Sequence, residues 1–263
     1  MQIETLHRIE ELVMAASREN ALSTATPARI LNNQVVSIEH LQEGRSRFRG
    51  SLKTSLLSEF VAYLKRHPVG AGFIDADNMT ATAFLNLGTK DNPGHADWQA
   101  HLDLKATAAY RAIRSIEGSP LSQKQMAEWI EDWSTHLSAM KDGQTIGINV
   151  ALAAIREISI EAKKNVTSTD RDFGASRSSM EEIEARAKGG LPTHLRFGCH
   201  PYPGFRHRDF NLRLSVITGD SPALKLRIVG KEQVEEDIAQ EFKALLLEEI
   251  GESAELTIGT FRP

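Results

Sequence analysis

Hydrophobic and polar positions alternate most strictly between residues 80 and 104, TATAFLNLGTKDNPGHADWQAHLDL. In its second half Ala96, Trp98, Ala100, Leu102 and Leu104 alternate with His95, Asp97, Gln99, His101 and Asp103, a period of two. This predicts two strands closed by a turn bearing glycine and proline, with one face in the core and the other presenting polar groups. Upstream, Ile3, Leu6, Ile9, Leu12 and Val13 are spaced as the apolar stripe of a short helix over 3–18. Residues 21–50 mix turn formers with short apolar runs and predict a loop holding at most one strand. A helix over 54–66 follows, with Leu56, Leu57, Phe60, Val61 and Leu64 inward. His67 and Pro68 end it, because proline disfavours the helical conformation of its predecessor. A strand near Gly72 to Asp75 and a turn through Asp77 and Asn78 lead into the hairpin.

Beyond the hairpin, Thr107, Tyr110 and Ile113 suggest a further strand. Ser122 and Gln125 have the spacing of a capping box, which opens a helix with Met126, Trp129, Ile130, Trp133 and Leu137 on one side. The two tryptophans read as core packing, since large rings bury much apolar surface. Another helix is expected from about 148 to 164. Residues 165–190 then lose periodicity, apart from a helical patch, MEEIEARAKGG. Strands return at 195–202, at 209–217 with Phe210, Leu212, Leu214 and Val216 on one face, and at 223–229 with Leu224, Leu226 and Ile228 inward. A helix over 231–250 and a short strand, AELTIG, close the pattern. The expected fold is α+β, with antiparallel sheets and packed helices in two lobes. Its expected parts are an N-terminal α+β domain at 1–164, a linker at 165–190, and a C-terminal sheet with one helix at 191–263.

Composition narrows this picture only in places. A length of 263 residues suits one large domain or two ordinary ones, and 41% hydrophobic residues supply a core. A net charge of -4 carries no global nucleic-acid signature, although it leaves room for local basic patches. The single cysteine, Cys199, excludes an internal disulfide and fits a reducing compartment, so the cytoplasm is expected. The N-terminal stretch has neither a long apolar core nor a basic leader, which predicts no signal peptide, no span and no membrane partner.

Several groups of residues invite chemistry. Arg45, Arg47 and Arg49 alternate around Phe48, and on extended backbone all three leave one side of the chain. Their guanidinium forks suit phosphate oxygens, and equally suit this protein's own carboxylates. In GCHPYPGFRHRDF, His200, Tyr202, His207 and Arg208 crowd a turn. Together with Arg45, Arg47, Arg49, Arg196 and Arg213 they make a candidate surface for nucleic acid or a protein partner. Cys199 and His200 are neighbours on one strand and point to opposite faces, so a buried structural thiol is expected rather than a Cys/His nucleophile.

His95, Asp97, His101 and Asp103 are chemically suited to a divalent metal, with Asp75 or His200 as further ligands. Strand geometry works against a shared site, because at about 3.3 Å per residue His95 and Asp103 would stand roughly 26 Å apart. The competing reading is a hydrated sheet face with polar cross-strand pairs. Asp75, Asp77 and Asn78 lack the terminal glutamate of a calcium loop, which favours turn chemistry. No phosphate-binding glycine loop, dinucleotide fingerprint, zinc-finger spacing, serine elbow or HExxH motif occurs, so no cofactor is predicted and no catalytic residue is assigned.

The segments RSRFRG, FIDAD, NPGHADWQAHLDL, WIEDW and CHPYPGFRHRDFNLRLSV together resemble the YfdQ-like family of uncharacterised proteins carried by bacteriophages and prophages. The resemblance covers most of the chain and supplies no catalytic residues. It implies a phage accessory protein in the bacterial host cytoplasm, with a gene context near replication and recombination. The expectation is a nonenzymatic binding or assembly protein tied to DNA metabolism or to a host DNA-processing protein. One alternative is a homo-oligomeric structural protein that self-associates. Another is a divalent-metal phosphoesterase or nuclease using Asp75, His95, Asp97 and His101, in which the metal would activate a water.

Overall fold

The computed structural model describes residues 5, 7–11, 13, 28–31, 34–37, 39–41, 43–45, 47–67, 70–165, 191–217, 223–251 and 255–263. The fold is α+β, built from two sheet-and-helix clusters. One sheet is mixed, with strand order β13-β4-β5-β6-β3; the other is antiparallel throughout, with order β7-β12-β11-β10-β8-β9. The mixed sheet comprises β3 (Gly50–Thr54), β4 (Ala71–Asp75), β5 (Thr80–Phe84), β6 (Trp98–Asp103) and β13 (Leu256–Ile258). The antiparallel sheet comprises β7 (Pro120–Leu121), β8 (Leu137–Lys141), β9 (Gln144–Ile146), β10 (His194–Cys199), β11 (Arg208–Ile217) and β12 (Ala223–Ile228). A separate hairpin pairs β1 (Ala28–Leu31) with β2 (Gln34–Ser37). The helices are α1 (Leu57–Arg66), α2 (Ala108–Ile116), α3 (Gln123–Asp132), α4 (Ile148–Asn165) and α5 (Lys231–Ile250).

Period two explains the buried side of each sheet. Ile74, Ala81, Ala83, Ala100 and Leu102 face the core from the mixed sheet, where small alanines leave room for Phe60, Val61 and Leu64 of α1. In the antiparallel sheet, Leu195, Phe197, Phe210, Leu212, Leu224 and Leu226 face Tyr110, Ile113, Met126, Ile130 and Ile155 from α2, α3 and α4. Each fully buried large side chain contributes about 1.5–3 kcal/mol. The capping box at α3 forms as its spacing predicts: the Ser122 backbone N–H donates to Gln125 Oε1 at 2.9 Å, and the Gln125 N–H donates to Ser122 Oγ at 3.3 Å. Trp129 and Trp133 pack against Phe197 with ring centroids 5.7 and 6.0 Å away, so both serve packing.

The structure departs from the sequence reading in several places: residues 28–31 and 34–37 pair as the β1–β2 hairpin where at most one strand was expected, and Leu137 lies on β8 beyond the end of α3. Thr107 to Ile113 is not a strand. Thr107 caps α2 by accepting the Tyr110 N–H at 3.2 Å, and the buried set Ala109, Tyr110, Ile113 and Ile116 follows helical spacing. The terminal strand does not join the C-terminal sheet. Helix α5, about 30 Å long at 1.5 Å per residue, carries the chain from β12 to the mixed sheet, where β13 pairs in parallel with β4. The sheet after residue 190 is also larger than expected, because β7, β8 and β9 join it from before the loop. Each sheet therefore draws strands from both sides of 165–190. The helical patch at 180–190 and most of the expected linker lie outside the described residues. Among the described residues no helix is long and apolar enough to cross a membrane.

Candidate partner-binding face

The polar residues of the opening hairpin are mostly satisfied within the protein. Thr82 Oγ1 and His101 Nδ1 are 2.9 Å apart on neighbouring strands. Asp75 accepts the Asn78 backbone N–H at 3.1 Å and its side-chain amide at 2.9 Å, closing the turn between β4 and β5. His95 is exposed in the loop before β6. Asp97 accepts from the Arg47 guanidinium and from Asn86 Nδ2, the latter at 2.8 Å. The Arg47 guanidinium holds the Asp97 carboxyl below its ordinary range, against a smaller opposing effect of burial. This loop needs Gly94, since a Cβ there would meet the Asn86 carbonyl oxygen at 2.0 Å. Among the described residues no group of three or more His, Cys, Asp or Glu is placed to hold a metal ion.

The arginines of RSRFRG are divided among internal partners. Arg47 pairs with Asp97, and Arg49 pairs with the buried Glu39. Arg45 donates to the Arg49 backbone carbonyl at 3.3 Å. Phe48 lies over Trp98 with centroids 4.4 Å apart, and Trp98 Nε1 donates to the Tyr63 hydroxyl at 2.9 Å.

The turn between β10 and β11 is likewise tied down. Arg208 Nη2 donates to Glu241 at 2.7 Å and to the Asp237 carbonyl at 3.1 Å, and the Arg206 N–H donates to Glu241 at 2.6 Å. His200 Nδ1 lies 2.6 Å from the Phe205 carbonyl oxygen. The His207 ring rests on Gly198, where a Cβ would approach it to 2.8 Å. Tyr202 is buried against Tyr110 and Phe205. Cys199 is buried while His200 is exposed, and burial pushes the thiol up to about 12, which keeps it protonated at neutral pH.

Arg196 and Arg213 behave differently. Both project from the outer face of the antiparallel sheet, opposite the core residues Leu195, Phe197, Leu212 and Leu214. The strand register builds a cationic cluster around them. Arg213 stands directly across from Arg227 on one side and His194 on the other, while Arg196 faces Asn211, one step along the diagonal. Lys225, opposite Ser215, continues the same face. Arg196, Arg213 and Arg227 are exposed. Among the described residues neither Arg213 nor Arg227 has an ion-pair partner. Like charges directly across a ladder repel one another, so this pairing is unfavourable until an anion bridges it.

Beside the cluster lies a concavity of about 540 Å³, lined by Met140, Asp142, Gly143, Thr193, His194, Arg196, Asn211 and Val229. The Asp142–Gly143 pair turns β8 into β9, with φ of 49° and 80°. Arg196 Nη2 lies 3.6 Å from Met140 Sδ, which places the guanidinium against the concavity wall.

Lys225, Arg227, His194, Asn211 and Met140 escaped sequence reasoning. The alternation of Leu224, Leu226 and Ile228 already implied that Lys225 and Arg227 point outward. What it lacked was the register that sets Arg227 against Arg213.

A family model described as "Uncharacterized conserved protein (DUF2303)" matches residues 1–261. No curated protein and no solved structure matches.

Proposed function

The chain belongs to the DUF2303 family, and we propose that it is a nonenzymatic binding protein that docks nucleic acid on the outer face of its antiparallel sheet. The observation that carries this reading is the opposed pair Arg213 and Arg227, flanked by Arg196 and Lys225 and without carboxylate partners among the described residues. Guanidinium forks bind phosphate oxygens in bidentate fashion, and neutralising phosphates releases condensed counterions. The resemblance to phage-borne proteins supports a setting in the cytoplasm of an infected bacterium and a role in DNA metabolism. A host DNA-processing protein with an acidic surface would use the same cations.

The test is fluorescence anisotropy with short labelled DNA across a salt series. If the arginines and Lys225 contact phosphate, the slope of log affinity against log salt is about −3. No binding at low salt sinks the reading. Self-association is a second reading, favoured by Phe48 and Leu56, which are 61% and 48% exposed and flank the edge strand β3. A sedimentation series that stays monomeric at all concentrations defeats it.

A further inference from the structure

We infer that the nucleic acid is single-stranded and that one of its bases seats in the concavity beside the arginines, a step that rests on the nucleic-acid reading above. Charge is unevenly distributed around this site. Arg213, Arg227 and Lys225 lie on the β11 and β12 side, while the Asp142 carboxylate stands on the β8–β9 turn. A phosphate settles at the paired arginines and is repelled from Asp142. The base attached to it then projects toward Met140.

The concavity offers what an unpaired base needs. Its volume of about 540 Å³ falls within the roughly 300–1,000 Å³ of ordinary small-ligand sites. Met140 and Val229 supply apolar wall, and a thioether packs favourably against an aromatic ring. The Arg196 guanidinium, placed against Met140 Sδ, presents a flat surface on which a base stacks. The Asn211 amide, exposed between Val229 and Arg196, carries both donor and acceptor for a base edge. Asp142 accepts from an exocyclic amine, which favours cytosine over thymine.

A duplex cannot use this arrangement. Its bases are stacked and paired inward, and drawing one out costs unpairing and unstacking energy. Against duplex DNA only the phosphate cluster is engaged and the concavity stays unused. A single strand engages both without that cost.

The experiment compares oligo(dC), oligo(dT), an abasic strand of equal charge and a matched duplex by anisotropy, using the full chain at low salt. Oligo(dC) is expected to bind about tenfold tighter than the abasic strand and the duplex, and severalfold tighter than oligo(dT). On the variant Met140→Ala combined with Asp142→Asn, oligo(dC) and the abasic strand are expected to bind equally, the tenfold preference being lost. The abasic comparison on the unaltered protein keeps the test independent of how the variant folds. Equal binding of oligo(dC) and either the abasic strand or the duplex overturns the inference while leaving the phosphate-docking reading intact. Failure of every oligonucleotide to bind overturns both.

Discussion

Arg47, Arg49 and Arg208 each meet a carboxylate of this protein, whereas Arg213 and Arg227 meet each other across a strand ladder. The first group closes gaps in the fold. Arg47 ties the segment before β3 to the loop before β6, and Arg208 ties the β10–β11 turn to α5. The second group faces solvent on a sheet whose other side packs against the helices. The same contrast separates the sheets as wholes. On the outer face of the mixed sheet, Phe261 stacks on Phe73 with centroids 4.8 Å apart and meets Phe84 edge-on, so part of that face is covered by the chain's own tail. The outer face of the antiparallel sheet carries Arg213 and Arg227 instead, without ion-pair partners among the described residues. An arginine's chemistry is the same everywhere; the partner supplied by the fold decides whether it holds the structure.

This contrast can be broken from either side. The largest effect on stability is expected from Glu241→Ala. Arg208 and Glu241 are only 12% and 13% exposed, so removing the carboxylate strands a nearly buried cation. The cost is about 3 kcal/mol by urea denaturation, with DNA binding unchanged. Charge reversal on the open face, Arg213→Glu with Arg227→Glu, should do the opposite: affinity for DNA at low salt falls about 100-fold, while the denaturation midpoint is little changed, because two carboxylates across the ladder repel as the two arginines did.

Asp97→Asn is smaller, about 1 kcal/mol, because the Arg47–Asp97 pair is partly screened by solvent. Its sign follows from the lowered Asp97 pKa. The carboxylate contributes its stability above the ordinary aspartate value of about 3.9, and that contribution is lost as pH falls through the lowered folded-state value. The wild-type advantage over Asp97→Asn should therefore survive mild acid and vanish only below the usual aspartate range, as read by denaturation at stepped pH. The smallest effect is expected from Arg45→Ala, whose one hydrogen bond is to an exposed backbone carbonyl. Stability should change by less than about 0.5 kcal/mol and binding should be unaffected; a clear loss of binding would move the partner surface to the other sheet.

Much of the fold was legible in the residue pattern because burial imposes a period. The alternation at 96–104 became β6, with Ala100 and Leu102 buried, and the stripes at 57–64 and 238–246 became the inner faces of α1 and α5. Where the pattern misled, the residue types competed with the spacing. Threonine, tyrosine and isoleucine at 107–113 favour strands by type, yet Tyr110 and Ile113 stand three apart and Thr107 supplies a cap. Short strands such as β7 and β9 span too few residues to show any period at all. The site was half legible: Arg196 and Arg213 were visible as candidates, while Arg227 and Lys225 were visible only as the outward positions of a strand.

By itself, then, the sequence determined most of the longer helices and strands and which face of each is apolar, because those properties depend on neighbours a few residues away. It also determined that Cys199 would be buried beside an exposed His200, from strand alternation alone. Only the tertiary structure decided which arginines are paired. Arg47 and Asp97 are 50 positions apart and Arg208 and Glu241 are 33 apart, and pairing over such spans depends on strand register and helix packing. Arg47 meets its carboxylate where the segment before β3 approaches the loop before β6, Arg208 meets its own on α5, and the separate β11–β12 register sets Arg213 against Arg227.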